Sequence, residues 1–196
     1  ARIIVDSTKN AAWIRARSDE LTAAGDRGAL IFLQRDGRAV LNSRFRKYPE
    51  RDAAGQIRSW MDQIIDSREV FSAYEGPKIV VRYEELATRP EAVVRQICEV
   101  AGLPFRAEML AFNDGESHPL GGNTGTQFVA ARGKVAHDPD AILKLTPRTH
   151  DYYAKHSGGI KLDLRWKTEM SAPHLALFND MAGDFNADMA WGEETK

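Results

Sequence analysis

Residues 30–47, LIFLQRDGRAVLNSRFRK, carry an unbroken apolar run into a group of arginines with a serine among them. Arg35 closes the run, Asp36 and Gly37 turn the chain, and Ser43 follows eight positions after Arg35. A guanidinium presents paired, planar donors that suit phosphate or sulfate. In an open α/β sheet, ligands sit beyond the carboxyl ends of the strands, and a helix starting there adds N–H groups and a positive dipole end. A serine about one and a half turns into that helix brings a hydroxyl toward an oxyanion held by Arg35. The competing assignment pairs Arg35 with a nearby carboxylate such as Asp36 and returns the Ser43 hydroxyl to a carbonyl one turn earlier. Spacing alone leaves both open.

Other chemistries find little support. The five histidines, at 118, 137, 150, 156 and 174, show neither a His-x-x-x-His nor a Cys-x-x-Cys partner spacing, so no metal site is expected. No Gly-x-Ser-x-Gly elbow is present. GGNTGT at 121–126 is glycine-rich but lacks the Lys-Ser/Thr ending of a Walker loop.

The elements that must position Arg35 and Ser43 are legible from periodicity. Arg2–Val5 reads as a short β-branched strand, and NAAWIRARSDELTAAG as a helix closing near Gly25. Ala29–Gln34 is a second strand, apolar without alternation, as when both faces are covered. Arg38–Lys47 reads as a helix. Ile57, Trp60, Met61, Ile64 and Ile65 fit the template of an amphipathic helix. KIVVRY, 78–83, is a third strand. Thr88-Arg89-Pro90-Glu91 has a capping-box pattern, with Val94, Ile97, Cys98 and Ala101 as the buried stripe behind it and Gly102 as the stop. Residues 106–159 read as a long irregular loop region, and Ser171–Met189 as a last helix with Leu175, Phe178, Ala182 and Phe185 on one face. Alternating strands and helices predict one α/β domain over 1–196, around a mainly parallel sheet.

The composition is that of an ordinary globular chain: 196 residues, 43% hydrophobic and 28% charged. With 27 basic and 28 acidic residues the formal net charge is −1, so no general attraction to nucleic acid or acidic membrane is expected and an anion site must be local. A single cysteine, Cys98, rules out an internal disulfide and suits a cytoplasmic location. No apolar run of membrane-spanning length or signal-peptide leader is read. The chain opens without methionine inside what reads as a strand, which predicts a piece of a longer protein cut upstream.

QRDGRAVLNS resembles the 3′-phosphate-binding element of sulfotransferases that use 3′-phosphoadenosine 5′-phosphosulfate (PAPS), bacterial type. In that family a strand ends in Arg and a Ser follows eight positions later, which maps to Arg35 and Ser43; Gly37 stands where the family typically has Pro. IIVDSTK is similar to the preceding DSSK-type strand end. VVRYEELATRPEAVVRQICEVAGLPF resembles the Tyr-Glu-Asp-Leu strand, loop and helix, while SHPLGGN with IKLDLRWKTEMS resembles the late cofactor loop and Trp segment. The four stretches occur in the family's order over nearly the whole chain.

The resemblance implies a three-layer, P-loop-like sheet of mainly parallel strands flanked by helices. It also implies that a first strand and a phosphosulfate loop similar to RSGTT are missing before Ala1, so that the fragment alone would bind donor poorly and turn over little. The implied activity is transfer of a sulfuryl group from PAPS to a hydroxyl or amine on a small-molecule, carbohydrate or lipid acceptor. PAP is the product, and no metal is needed. Arg35 and Ser43 would hold the 3′-phosphate, Tyr83 would lie near the adenine, and Gly121, Gly122 and Asn123 would belong to the cofactor loop. Lys9 would face the sulfuryl group or a phosphate. Asp6, at a strand end, and His118, titrating near neutral pH, are candidates for the general base, which stays unassigned. The alternatives are a nucleotide-binding P-loop-like kinase, which would need Mg²⁺, and a non-catalytic PAP-binding module.

Overall fold

The computed structural model describes residues 3–7, 9–111 and 161–192. The chain divides into two compact units, one of residues 1–7 and 105–160, the other of residues 8–104 and 161–196. The second unit carries the sheet and all the α-helices described below.

Helix α1, Ala11–Ala24, starts where the Asn10 side chain accepts the N–H of Trp13 at 3.0 Å. It ends at Gly25, whose φ of 70° lets the N–H groups of Gly25 and Asp26 return to Thr22 and Leu21. Strand β1 is Leu30–Gln34 and helix α2 is Gly37–Lys47. Helix α3, Ala53–Ala73, is capped by Asp52, which accepts the Gly55 N–H at 2.6 Å. Strand β2, Lys78–Arg82, passes directly into α4, Tyr83–Thr88, and α5, Pro90–Ala101. Two further helices follow, α6 at Trp166–Glu169 and α7 at Ala172–Ala182. In the other unit, residues 3–7 are irregular and Ala107–Leu110 form a 3₁₀ turn.

β1 and β2 pair in parallel, from Leu30 opposite Lys78 to Gln34 opposite Arg82, and α2 with α3 forms the crossover that a parallel pair needs. The chain is therefore a mixed α/β protein on a small two-stranded parallel sheet. Helix α3 packs on β1, with the rings of Phe32 and Phe71 5.9 Å apart, and α5 packs on β2, where Val81 is buried. Ile31, Leu33 and Val80 keep 43–56% of their surface exposed, so each strand is covered on one side only.

The core lies where α2, α3 and α7 meet. Leu41, Phe45, Ile57, Trp60, Phe178, Ala182 and Met189 form one buried cluster, and the Trp60 ring stands 5.8 Å from Phe178 and edge-on to Phe185 at 5.6 Å. Gly37 fits this packing because it has no side chain. A Cβ there would lie 2.4 Å from the Trp60 ring, and the Gly37 N–H donates to Asn186 at 2.7 Å.

Several sequence expectations are corrected. Residues 3–5 form no strand, and Ile4 and Val5 are almost fully exposed: β-branched residues favour a pleated ladder, but no strand among the described residues pairs with them. Ile65 lies outside the buried strip of α3. Tyr83 begins α4 rather than ending β2, and Thr88 does not cap α5; its hydroxyl donates to the Glu84 carbonyl at 2.8 Å because it closes the last turn of α4. In α5 the most buried positions are Val93 and Cys98, with Val94, Ile97 and Ala101 half-buried. The last helix stops at Ala182, and the chain runs on in turns that still bury Asn186 and Met189.

Candidate functional site

The carboxyl ends of β1 and β2 are organised around Asp36, which has no exposed surface. Asp36 is the N-cap of α2 and accepts the Arg38 N–H at 2.9 Å. Its carboxylate also takes the Arg38 guanidinium at 3.0 and 2.6 Å, the Asn186 side-chain amide at 3.3 Å and the Trp191 N–H at 2.9 Å. The Arg38 guanidinium in turn lies 4.0 Å from the centroid of the Trp166 ring. A buried carboxylate is tolerated when it is paired and fully hydrogen-bonded, and Asp36 satisfies that condition.

Arg35 has a different partner from the one expected. Asp36 is taken by Arg38, while Arg35 pairs with Asp163 from the far side of the sequence, Nη2 to Oδ2 at 3.2 Å and to the Asp163 carbonyl at 3.1 Å. Its guanidinium stacks on the Tyr83 ring at 4.4 Å, and its Nε is buried with no hydrogen-bond partner. Tyr83 donates its hydroxyl to the Lys161 carbonyl. Asp163 is shared: Arg165 binds it through both side-chain arms at 2.8 Å each. That fork from Arg165, with Arg35 adding to it, outweighs burial and holds the Asp163 carboxyl well below the usual carboxylate range.

The segment from Lys161 to Glu169 thus touches Tyr83 and Arg35 first, then brings Trp166 to Arg38, and ends with Glu169 bonded to Asn42 and Arg46 on α2. Beneath it, Glu84 accepts the Asp36 N–H at 3.0 Å through one oxygen, while the other is buried without a partner. Burial pushes the Glu84 carboxyl up, and the Asp36 N–H bond opposes that.

Ser43 sits on the second turn of α2 with an exposed side chain. Among the described residues its hydroxyl makes no hydrogen bond, unlike Ser18, Thr22, Ser67 and Thr88, which bond back to carbonyls four residues earlier. No hydrogen bond joins Ser43 to Arg35: Arg35 precedes the Asp36 cap of α2, and Ser43 is the seventh residue of that helix. Lys9 lies elsewhere in the same unit, exposed in an open depression between α1 and α3 that Arg15, Asp62 and Asp66 also line. Asp6 belongs to the irregular 3–7 stretch of the other unit. His118, Gly121, Gly122 and Asn123 lie outside the described residues.

Sequence reasoning missed Asp163, Arg165 and Glu84. Asp163 and Arg165 carried a faint signal, since opposite charges two residues apart in extended chain share a side. Nothing local marked Glu84 as buried. Among the described residues, no group of three or more His, Cys, Asp or Glu stands where it could hold a metal ion. Arg35, Arg38, Arg82 and Arg165 gather near the strand ends, where Asp36 pairs with Arg38 and Asp163 pairs with Arg35 and Arg165. No family model, curated protein or solved structure matches the chain. No described helix is long and apolar enough to cross a membrane.

Proposed function

We propose that the chain is the nucleotide-binding portion of a PAPS-dependent sulfotransferase with a P-loop-like architecture, acting in the cytoplasm on a hydroxyl or amine acceptor. Arg35 supports this reading more than any other residue. It lies just past the carboxyl end of a parallel strand, stands over the Tyr83 ring, and carries a buried Nε whose hydrogen bond is unmade. A donor left unmade at that depth costs stability unless a ligand completes it. Ser43 adds an uncommitted, exposed hydroxyl on the helix that starts beside Arg35.

In this reading Arg35 and Ser43 bind the 3′-phosphate of the donor, with Tyr83 close to the nucleoside. That is binding remote from the sulfuryl group, and it serves to orient the donor. Sulfuryl transfer then breaks the bond between sulfur and the bridging oxygen of the nucleotide and forms one from sulfur to the acceptor oxygen or nitrogen. PAP leaves, and the acceptor proton passes to a base that the described residues do not identify.

Isothermal titration with PAP tests the reading. The unaltered chain should bind PAP more tightly than adenosine 5′-monophosphate, which lacks the 3′-phosphate, and Arg35→Ala should abolish that preference. Equal affinity for the two nucleotides, or a preference that survives Arg35→Ala, would overturn the assignment. Binding that requires Mg²⁺ would favour a kinase instead.

A further inference from the structure

We propose that Asp163 is an internal competitor for the anion site: its carboxylate holds the Arg35 guanidinium that an incoming phosphate needs, and releases it on binding while keeping Arg165. The inference rests on the anion-binding reading of Arg35 given above and adds what controls access to it.

The partner geometry carries the proposal. The Asp163 carboxylate meets Arg165 through two bonds of 2.8 Å but meets Arg35 only at Nη2, at 3.2 Å, the same nitrogen that donates to the Asp163 carbonyl at 3.1 Å. One carboxylate therefore serves two guanidinium groups unequally. Losing Arg35 leaves Asp163 ion-paired in its forked geometry, so the exchange strands no buried charge. Arg35 is equally prepared for the change. Its place is fixed by the Tyr83 ring and not by Asp163 alone, and its Nε has no bond to give up. A phosphate at Arg35 would replace Oδ2 at Nη2 and complete the Nε bond, a grip on two guanidinium nitrogens, whereas Asp163 holds Nη2 alone through its carboxylate and its carbonyl. The neighbouring pair lacks this asymmetry: Asp36 binds Arg38 through both oxygens and is fully buried, so Arg38 stays committed to Asp36.

No covalent step is involved. Arg35 changes partner from Asp163 to phosphate, and Asp163 stays ionised throughout because the Arg165 fork stabilises its anion.

The test uses inorganic phosphate as the probe, followed by calorimetry. Asp163→Asn should bind phosphate roughly fivefold more tightly than the unaltered chain, the scale of one partly exposed ion pair removed from competition. The gain should vanish in the Arg35→Ala, Asp163→Asn double variant. Glu169→Gln removes a carboxylate that pairs with Arg46, not Arg35, and should leave phosphate affinity unchanged. An Asp163→Asn affinity equal to or below that of the unaltered chain would overturn the exchange, as would an equal gain in Glu169→Gln.

A second measurement needs no variant in the titration. Phosphate added to the unaltered chain should move the Arg35 Nε–H resonance and the Asp163 carboxylate carbon together in NMR spectra. Movement of Arg35 alone, or of neither, overturns the proposal even if Asp163→Asn fails to fold. The two ideas fail separately. A phosphate gain in Asp163→Asn with no preference for PAP keeps the exchange and removes the nucleotide. A PAP preference that depends on Arg35, without that gain, does the reverse.

Discussion

The backbone N–H of Asp36 donates to the Glu84 carboxylate at 3.0 Å, and this bond ties the end of β1 to the first turn of α4, the helix into which β2 continues. The two strand ends are thus joined by a side chain that is itself almost wholly buried, 1% exposed. The remaining oxygen of Glu84 has no partner, and burial there disfavours its ionised form.

A pH dependence follows from Glu84. Its folded pKa is raised above the unfolded value of about 4.3, so its contribution is fully present below that pH and is lost as pH rises through the folded pKa. Glu84→Gln keeps an oxygen for the Asp36 N–H but does not titrate. Urea unfolding across this window should show the stability difference moving in favour of the Gln variant as pH rises. A difference that stays constant with pH would refute the assignment.

Asp36→Ala should destabilise the chain by about 3–5 kcal/mol, the usual loss when one member of a buried ion pair is removed. It leaves the Arg38 guanidinium, the Trp191 N–H and the Asn186 amide without their common acceptor. Asp36→Asn preserves part of the hydrogen bonding and should lose less. The midpoint of chemical denaturation reads both.

At Gly37, alanine is predicted to cost about 1–3 kcal/mol, since its Cβ would meet the Trp60 ring and force the core to shift. Gly37→Pro should cost more, because it also removes the N–H that bonds Asn186. Thermal melting of the two variants, with loss of the near-ultraviolet signal of Trp60 as a second readout, checks the order.

Tyr83 separates its ring from its hydroxyl. Tyr83→Phe retains the surface on which Arg35 lies and should leave PAP affinity within about twofold, whereas Tyr83→Ala removes a cation–π contact worth about 1 kcal/mol and should weaken binding roughly fivefold. Equal effects of the two substitutions would mean that the stack does not position Arg35.

What could be read ahead of the structure was whatever is set by neighbours in sequence. Gly25 and Gly102 end their helices with φ of 70° and 67°, as a residue without Cβ allows, and Ile57 and Trp60 are buried at the spacing that a helix repeats. The break at Asp36-Gly37 and the helix after it were legible too, although Gly37 already belongs to the helix and Asp36 proves to be its cap. Partner choice was not. Arg35 passes over its adjacent carboxylate for one that is 128 positions away, a selection made by the path of the Lys161–Glu169 segment and invisible to local pattern. Residues 3–5 mislead for a related reason: β-branched composition states a preference, and only a neighbouring strand can realise it.

Asp36 also links regions that lie far apart along the polypeptide. One side chain fastens the opening of α2 to Asn186 and Trp191, about 150 positions downstream. Clipping the tail ahead of Asn186 would therefore strip ligands from an anion sealed in the interior, and the start of α2 would loosen although every residue of β1 and α2 remained. A protease cut near the carboxyl end should abolish phosphate affinity and unravel the helix start in the same step, so that a shortened version confined to the two strands and their crossover would be no substitute for the whole.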